Sequence, residues 1–201
     1  MTGRLACALV LTAGCSAESF SKFDAAPQGH DGANGADAGL APSVLPFAVD
    51  DWYGPSGYMG DGETPGAIVD SMKCAAQRPT TWIGHCHHYS WTPGTKKWAG
   101  VYWQFPDGNW GDLPGLPIPA GATKVSFEAW GDKGTEKIDF MVGMKAVDGF
   151  TITNAQVPLT TTPQRFELDL AGTSYGKVVG GFGWVGKDEA AGFYLDDIRW
   201  E

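Results

Sequence analysis

Residues 124–130 read KVSFEAW and residues 137–144 read KIDFMVGM, two runs in which every second side chain is apolar. Successive side chains of a β-strand point to opposite sides. Val125, Phe127 and Ala129 therefore share one face of the first run, and Ile138, Phe140, Val142 and Met144 one face of the second. Ser126, Glu128, Trp130 and Asp139 point the other way. Strands that are core on one side only are the material of packed sheets.

Outward from this pair the same grammar recurs at 98–105 (WAGVYWQF), 165–170 (RFELDL), 177–185 (KVVGGFGWV) and 192–200 (GFYLDDIRW), with weaker runs at 47–51, 82–91 and 150–157. Clusters of Gly, Pro, Asp and Asn separate them, and no segment carries a sustained helical period. Eight or nine short strands over residues 46–201 predict an all-β domain, a two-sheet antiparallel β-sandwich of jelly-roll type. In WAGVYWQF the core set is Val101, Trp103 and Phe105, which leaves Tyr102 and Gln104 outward, beside Glu128 and Trp130 if the strands are neighbours. In RFELDL, Phe166, Leu168 and Leu170 are core.

Composition narrows the partners. A net charge of −9 with no cluster of Lys or Arg lacks the grouped positive charge that phosphate backbones require, so nucleic acid is excluded. No run of 18 apolar residues is present, so nothing spans a bilayer as a helix.

The first residues, MTGRLACALVLTAGCS, hold one basic side chain at Arg4, a short apolar run and then small residues, the layout of a secretion signal. Thr12-Ala13-Gly14-Cys15 resembles the lipobox of bacterial lipoproteins, which implies cleavage after residue 14 and a lipid on Cys15. Acyl chains worth about 0.8 kcal/mol per buried CH₂ would hold the protein at a membrane through that anchor alone. Ser16 is not the Asp associated with inner-membrane retention, which favours the outer membrane or cell surface. Residues 15–45, rich in Ala, Gly, Asp and Pro, read as a disordered tether. With Cys7 in the signal and Cys15 lipidated, Cys74 and Cys86 remain, and two thiols in an oxidising compartment most simply form one disulfide.

An outward face carrying aromatics, amides and carboxylates suits sugars: rings stack on the apolar faces of pyranoses while Gln, Glu and Asp satisfy hydroxyls. Tyr102, Gln104, Glu128 and Trp130 are the expected contacts, with Trp110 in the Asn-Trp-Gly loop as a rim platform. The block from WAGVYWQFPDGNWGD to VPLTTTPQRFELDLAG, VVGGFGWV and FYLDDIRWE resembles the galactose-binding-like jelly-roll domains of bacterial carbohydrate-binding modules. That resemblance covers most of residues 70–201, and the spacing of Cys74 and Cys86 fits it. It implies one structural Ca²⁺ where the first and last strands meet, with Asp196 as a ligand and Asp50 or Asp51 as its partner, hard oxygen donors suited to that ion.

Other chemistry is weaker. In Gly84-His85-Cys86-His87-His88, alternation puts His85 and His87 on one face and Cys86 and His88 on the other, so neither offers a tetrahedral zinc set. Glu167 and Asp169 share an outer face without a third acid, Gly172 standing where the jelly-roll glucanases carry it. No nucleophile elbow, P-loop or dinucleotide fingerprint occurs. The reading is a monomeric, surface-anchored, non-catalytic carbohydrate-binding lipoprotein. The alternatives are an envelope protein that uses the same face against another protein, and a polysaccharide-cleaving enzyme.

Overall fold

A computed structural model describes residues 41–74 and 78–201 of the chain. The expected signal at 1–14, the expected lipidation site Cys15 and the expected tether up to residue 40 lie outside the described residues. Pro42 is buried and Leu45 packs against the core.

The strands are β1 (Phe47–Ala48), β2 (Gly54–Gly60), β3 (Ile68–Asp70), β4 (His87–Trp91), β5 (Trp98–Gln104), β6 (Leu116–Pro117), β7 (Lys124–Gly131) and β8 (Lys137–Val142). After a single helical turn, α1 (Lys145–Asp148), come β9 (Ile152–Pro158), β10 (Gln164–Asp169), β11 (Lys177–Val178), β12 (Gly180–Lys187) and β13 (Ala191–Trp200). They form a two-sheet antiparallel sandwich of the jelly-roll kind. One sheet runs β10-β7-β13-β4-β3, with β1 also on β13; the other runs β2-β5-β12-β8-β9; β6 and β11 make a small ribbon. β13 is the hub of the first sheet, pairing with β1, β4 and β7.

Alternation predicts the core well. Val125, Phe127, Ala129, Ile138, Phe140, Val142, Val101, Trp103 and Leu168 are fully buried between the sheets. Rings from both sheets interlock there: Phe127 lies 4.7 Å from Phe140 and 4.9 Å from Phe182, and Trp184 meets Phe193 edge-on at 4.9 Å. Each such side chain contributes about 1.5–3 kcal/mol by leaving water. Met144 and Phe105, expected in the core, are only half-buried at strand ends.

Three features depart from the sequence reading. Residues 49–51 form a 3-10 turn rather than the end of a strand, and residues 82–86 are irregular, with the strand starting at His87. β2, with the sequence GPSGYMG, is a full strand on the sheet edge. An edge tolerates Pro55 because one side of the strand needs no ladder hydrogen bonds.

Candidate functional site

β5 belongs to the five-stranded sheet and β7 to the six-stranded one. Tyr102 and Gln104 therefore face away from Glu128 and Trp130, with the whole sandwich between them. The single binding face expected from the sequence is two faces on opposite sides. Alternation reports which side of a strand is core, but not which sheet the strand joins. Trp110 alone of the five stands open, at 46% exposure; Tyr102, Gln104, Glu128 and Trp130 are at 7, 0, 9 and 8%.

The outer face of the six-stranded sheet satisfies itself. Tyr194 stands opposite both Trp130 and His88, and the rings stack in parallel at 4.9 and 4.1 Å, with Trp82 closing the row 6.3 Å from Trp130. Those separations are close to the spacing between neighbouring strands, so the rings stand upright and spend their faces on one another. His88 Nε2 meets Asp132 and its Nδ1 lies 3.4 Å from Ser71 Oγ. Beside the row is an ionic lattice. Arg165 donates to Asp197, Ser126 and Glu201 and lies 3.6 Å from Glu128. Burial, the larger influence, pushes the Glu128 carboxyl above its usual range despite Arg165.

The outer face of the five-stranded sheet is built differently. β5 sends Trp98, Gly100, Tyr102 and Gln104 outward, and its large side chains recline over glycines of the flanking strands. A Cβ at Gly60 would lie 2.8 Å from Cδ2 and Cε3 of Trp98, one at Gly57 2.6 Å from Cδ of Gln104, and one at Gly183 2.8 Å from Cδ1 of Tyr102. The Trp98 indole thus lies against β2 backbone at Gly60 while 37% of the residue stays exposed. Tyr102 reaches Gly143 O at 3.3 Å, and burial, with Asp148 nearby, pushes its phenol up to about 12. Gln104 Oε1 accepts from Ser56 Oγ at 3.4 Å.

Polar groups lie next to this paving. Trp98 is opposite Lys187 and Gly100 opposite Met59 and Val185, while Val185 is opposite Asp139. Lys187 Nζ donates to Asp139 Oδ2 at 2.6 Å, and Gln156 donates to Oδ1 through its backbone N and Nε2 at 2.7 and 2.9 Å. Burial raises the Asp139 pKa, but these donors outweigh it and hold the carboxyl below its usual range. At the other end of β5, Asn109 ties down the Trp110 loop through Phe105 O and Leu113 O. Gly111 there abuts Val147 of α1. The result is a strip about 20 Å long, the length of β5, with an indole platform and an ion pair at one end and a second exposed indole beyond the other. Sequence reasoning missed Trp98, although the alternation that turns Tyr102 outward turns Trp98 outward too.

Of the acids expected to hold calcium, Asp50 and Asp196 are otherwise engaged. Asp50 is buried, accepting from Trp103 Nε1 at 2.7 Å and His85 N at 2.9 Å and lying 3.1 Å from His87 Nε2. Asp51 is exposed. Asp196, fully buried, takes Nε and Nη2 of Arg78 at 2.7 and 2.5 Å. With a guanidinium already seated on the Asp196 carboxylate, the donor set does not fit an added cation. Cys74 and Cys86 form the expected disulfide; their sulfurs and an Asp196 oxygen lie within 4.8 Å of one another, but sulfurs bonded to each other are not thiolate ligands.

His87 and His88 point to opposite sides of β4, as alternation requires. His87 turns inward, its Nδ1 2.6 Å from Asp70 Oδ2 and its ring stacked on Tyr89. Burial lowers its pKa, but Asp50 and Asp70 outweigh that and bring it to about 9. Glu167 pairs with Lys124 and Asp169 accepts from Ala171 N, both on the solvated side of β10.

No protein-family model matches the chain, and no curated protein matches it. Among solved structures, the chain is similar to the family 11 carbohydrate-binding module of a cellulosomal cellulase from Clostridium thermocellum, at 14% identity and a TM-score of 0.46 over 79% of this chain and 95% of that one. The same family's module in complex with a β-1,3-1,4-mixed-linked tetrasaccharide aligns at 16% identity and a TM-score of 0.42, covering 72% and 95%. A xylan-binding family 22 module from Paenibacillus barcinonensis aligns at 14% and 0.42, covering 80% and 95%.

Proposed function

We propose that the domain is a non-catalytic carbohydrate-binding module that holds a glycan along the outer face of the five-stranded sheet. The observation that carries this reading is the Trp98 indole, set against Gly60 with 37% of the residue exposed, next to the Asp139–Lys187–Gln156 cluster. An immobilised ring of this kind stacks on a pyranose at little cost in side-chain entropy. Carboxylate, ammonium and amide groups beside it match the hydroxyl pattern of a sugar. Tyr102 and Gln104 form the floor of the strip and Trp110 its far rim. Export and anchoring through Cys15 at the outer membrane or cell surface complete the proposal, and the protein works as a monomer.

The test is a glycan array and insoluble-polysaccharide pull-down with the purified protein beside Trp98→Ala. Binding that the substitution weakens at least tenfold supports the reading. Unchanged binding in Trp98→Ala, or silence across the panel from folded protein, defeats it in favour of an envelope protein that meets other proteins. Palmitate labelling that survives Cys15→Ser would remove the anchor from the proposal.

A further inference from the structure

Four hydrogen bonds from Arg78 converge on one small cradle of oxygens. Nη2 donates to Asp196 Oδ1 at 2.5 Å and to the carbonyls of Ile83 and Gly84 at 3.2 Å each, while Nε donates to Asp196 Oδ2 at 2.7 Å. The Gly84 carbonyl is aimed by its own peptide, whose N–H, on His85, donates to Asp50 Oδ2 on the opposite side, and Ile83 is held from its other side by its N–H donating to Asp197 Oδ1. Gly84 makes that turn with φ +68, and a Cβ there would lie 2.8 Å from Asp50 Oδ2. The chain bulges between Asp196 and Arg199, so that Asp196 and Asp197 follow one another between the core residues Leu195 and Ile198.

A carboxylate and two backbone carbonyls around one point are hard-cation donors. The geometry points to Arg78 as the domain's own cation: its guanidinium occupies an oxygen cradle that takes a divalent calcium ion only when the side chain is removed. Arg78 keeps its charge at every accessible pH, and a second cation about 4 Å away would be repelled by several kcal/mol. Arg78 lies inside the loop closed by Cys74 and Cys86, so the disulfide confines the residue that fills the cradle. The folded domain is therefore independent of calcium, in contrast to what its resemblance implies.

Thermal unfolding of the full chain in chelator and in millimolar CaCl₂ tests this, with calcium titration calorimetry alongside. The wild-type midpoint is the same in both and no binding heat appears. Arg78→Ala has a lower midpoint in chelator, recovers by about 4–8 °C in calcium, and binds one ion. Arg78→Lys, which keeps the charge but loses the fork, is destabilised and stays insensitive to calcium. Should Arg78→Ala fail to fold in chelator, folding restored by calcium supports the proposal and no restoration overturns it. A wild-type midpoint that rises with calcium, or a folded Arg78→Ala without any calcium response, also overturns it.

Discussion

On the outer face of the six-stranded sheet rings lean on rings: Trp130 on Tyr194, Tyr194 on His88. On the outer face of the five-stranded sheet they lean on glycine: Trp98 on Gly60, Tyr102 on Gly183. Both faces carry aromatics with carboxylates nearby, so composition does not distinguish them. The cross-strand neighbour does. A bulky partner in register makes a ring stand upright and spend its faces within the protein, whereas at Gly60 the Trp98 ring leans on backbone and 37% of the residue stays exposed; Tyr102, on Gly183, is buried at 7%. Ring faces left free, not ring counts, mark a surface able to hold sugar.

The largest effect that could break this comparison comes from Trp130→Ala. Truncating a ring packed between Trp82 and Tyr194 should cost about 3–5 kcal/mol, read by denaturant unfolding, while glycan affinity is unchanged. Loss of glycan binding from folded Trp130→Ala would transfer the site to the six-stranded sheet.

A perturbation of the shared interior should strike both faces alike. Protonated His87 links Asp70 at the end of β3 to Asp50, which also receives Trp103 of β5. Because its folded pKa is raised from 6.5 to about 9, the stability it contributes is fully present below pH 6.5 and is lost as pH rises toward 9, by roughly 1 kcal/mol per pH unit at the steepest. Burial, the largest single influence, raises the Asp50 pKa, but His87, the His85 amide and Trp103 together outweigh it and hold the pKa below 3.8, so Asp50 contributes stability above pH 3.8 that disappears as pH falls further. Unfolding midpoints across pH 3–10 should show a plateau between those limits, and His87→Gln should remove its alkaline edge. An alkaline edge that persists in His87→Gln assigns it to another group.

Gly183→Ala sharpens the contrast. Its methyl group meets the Tyr102 ring at 2.8 and 3.0 Å, so the ring must lift, at about 1–3 kcal/mol, and calorimetry should record weaker glycan binding as well as a lower midpoint. Full affinity in a destabilised Gly183→Ala would detach Tyr102 from the site. The smallest effect on stability is that of Trp98→Ala, within about 0.5 kcal/mol, paired with a tenfold loss of affinity worth about 1.4 kcal/mol. Affinity electrophoresis beside a thermal melt separates the two quantities, and a large drop in midpoint would make Trp98 a packing residue.

The strands β5, β7, β8, β10, β12 and β13 were legible because their alternation is strong. β2 was not, since Gly and Pro at four of its seven positions carry turn signals and only its edge location makes them acceptable. Alternation also turned Tyr102, Gln104, Glu128 and Trp130 away from the core correctly. It could not assign β5 and β7 to different sheets, because pairing is a long-range property that a period of two does not encode. The cationic roles of His87 and Arg78 were hidden for a related reason: their carboxylate partners lie 17 to 118 residues away in the chain.

The central place of β13 has a consequence for how the domain comes together. Without it, the six-stranded sheet falls into two separate ladders, β3 with β4 and β7 with β10. Neither ladder gains its central neighbour until residues 191–200 are available. Assembly therefore waits on contacts between distant parts of the chain, which are slow to close, and the earlier strands stay unpaired at their inner edges meanwhile. A protease that nicks within β13 would reverse the process from the middle of the sheet outward, dismantling the hub before either edge.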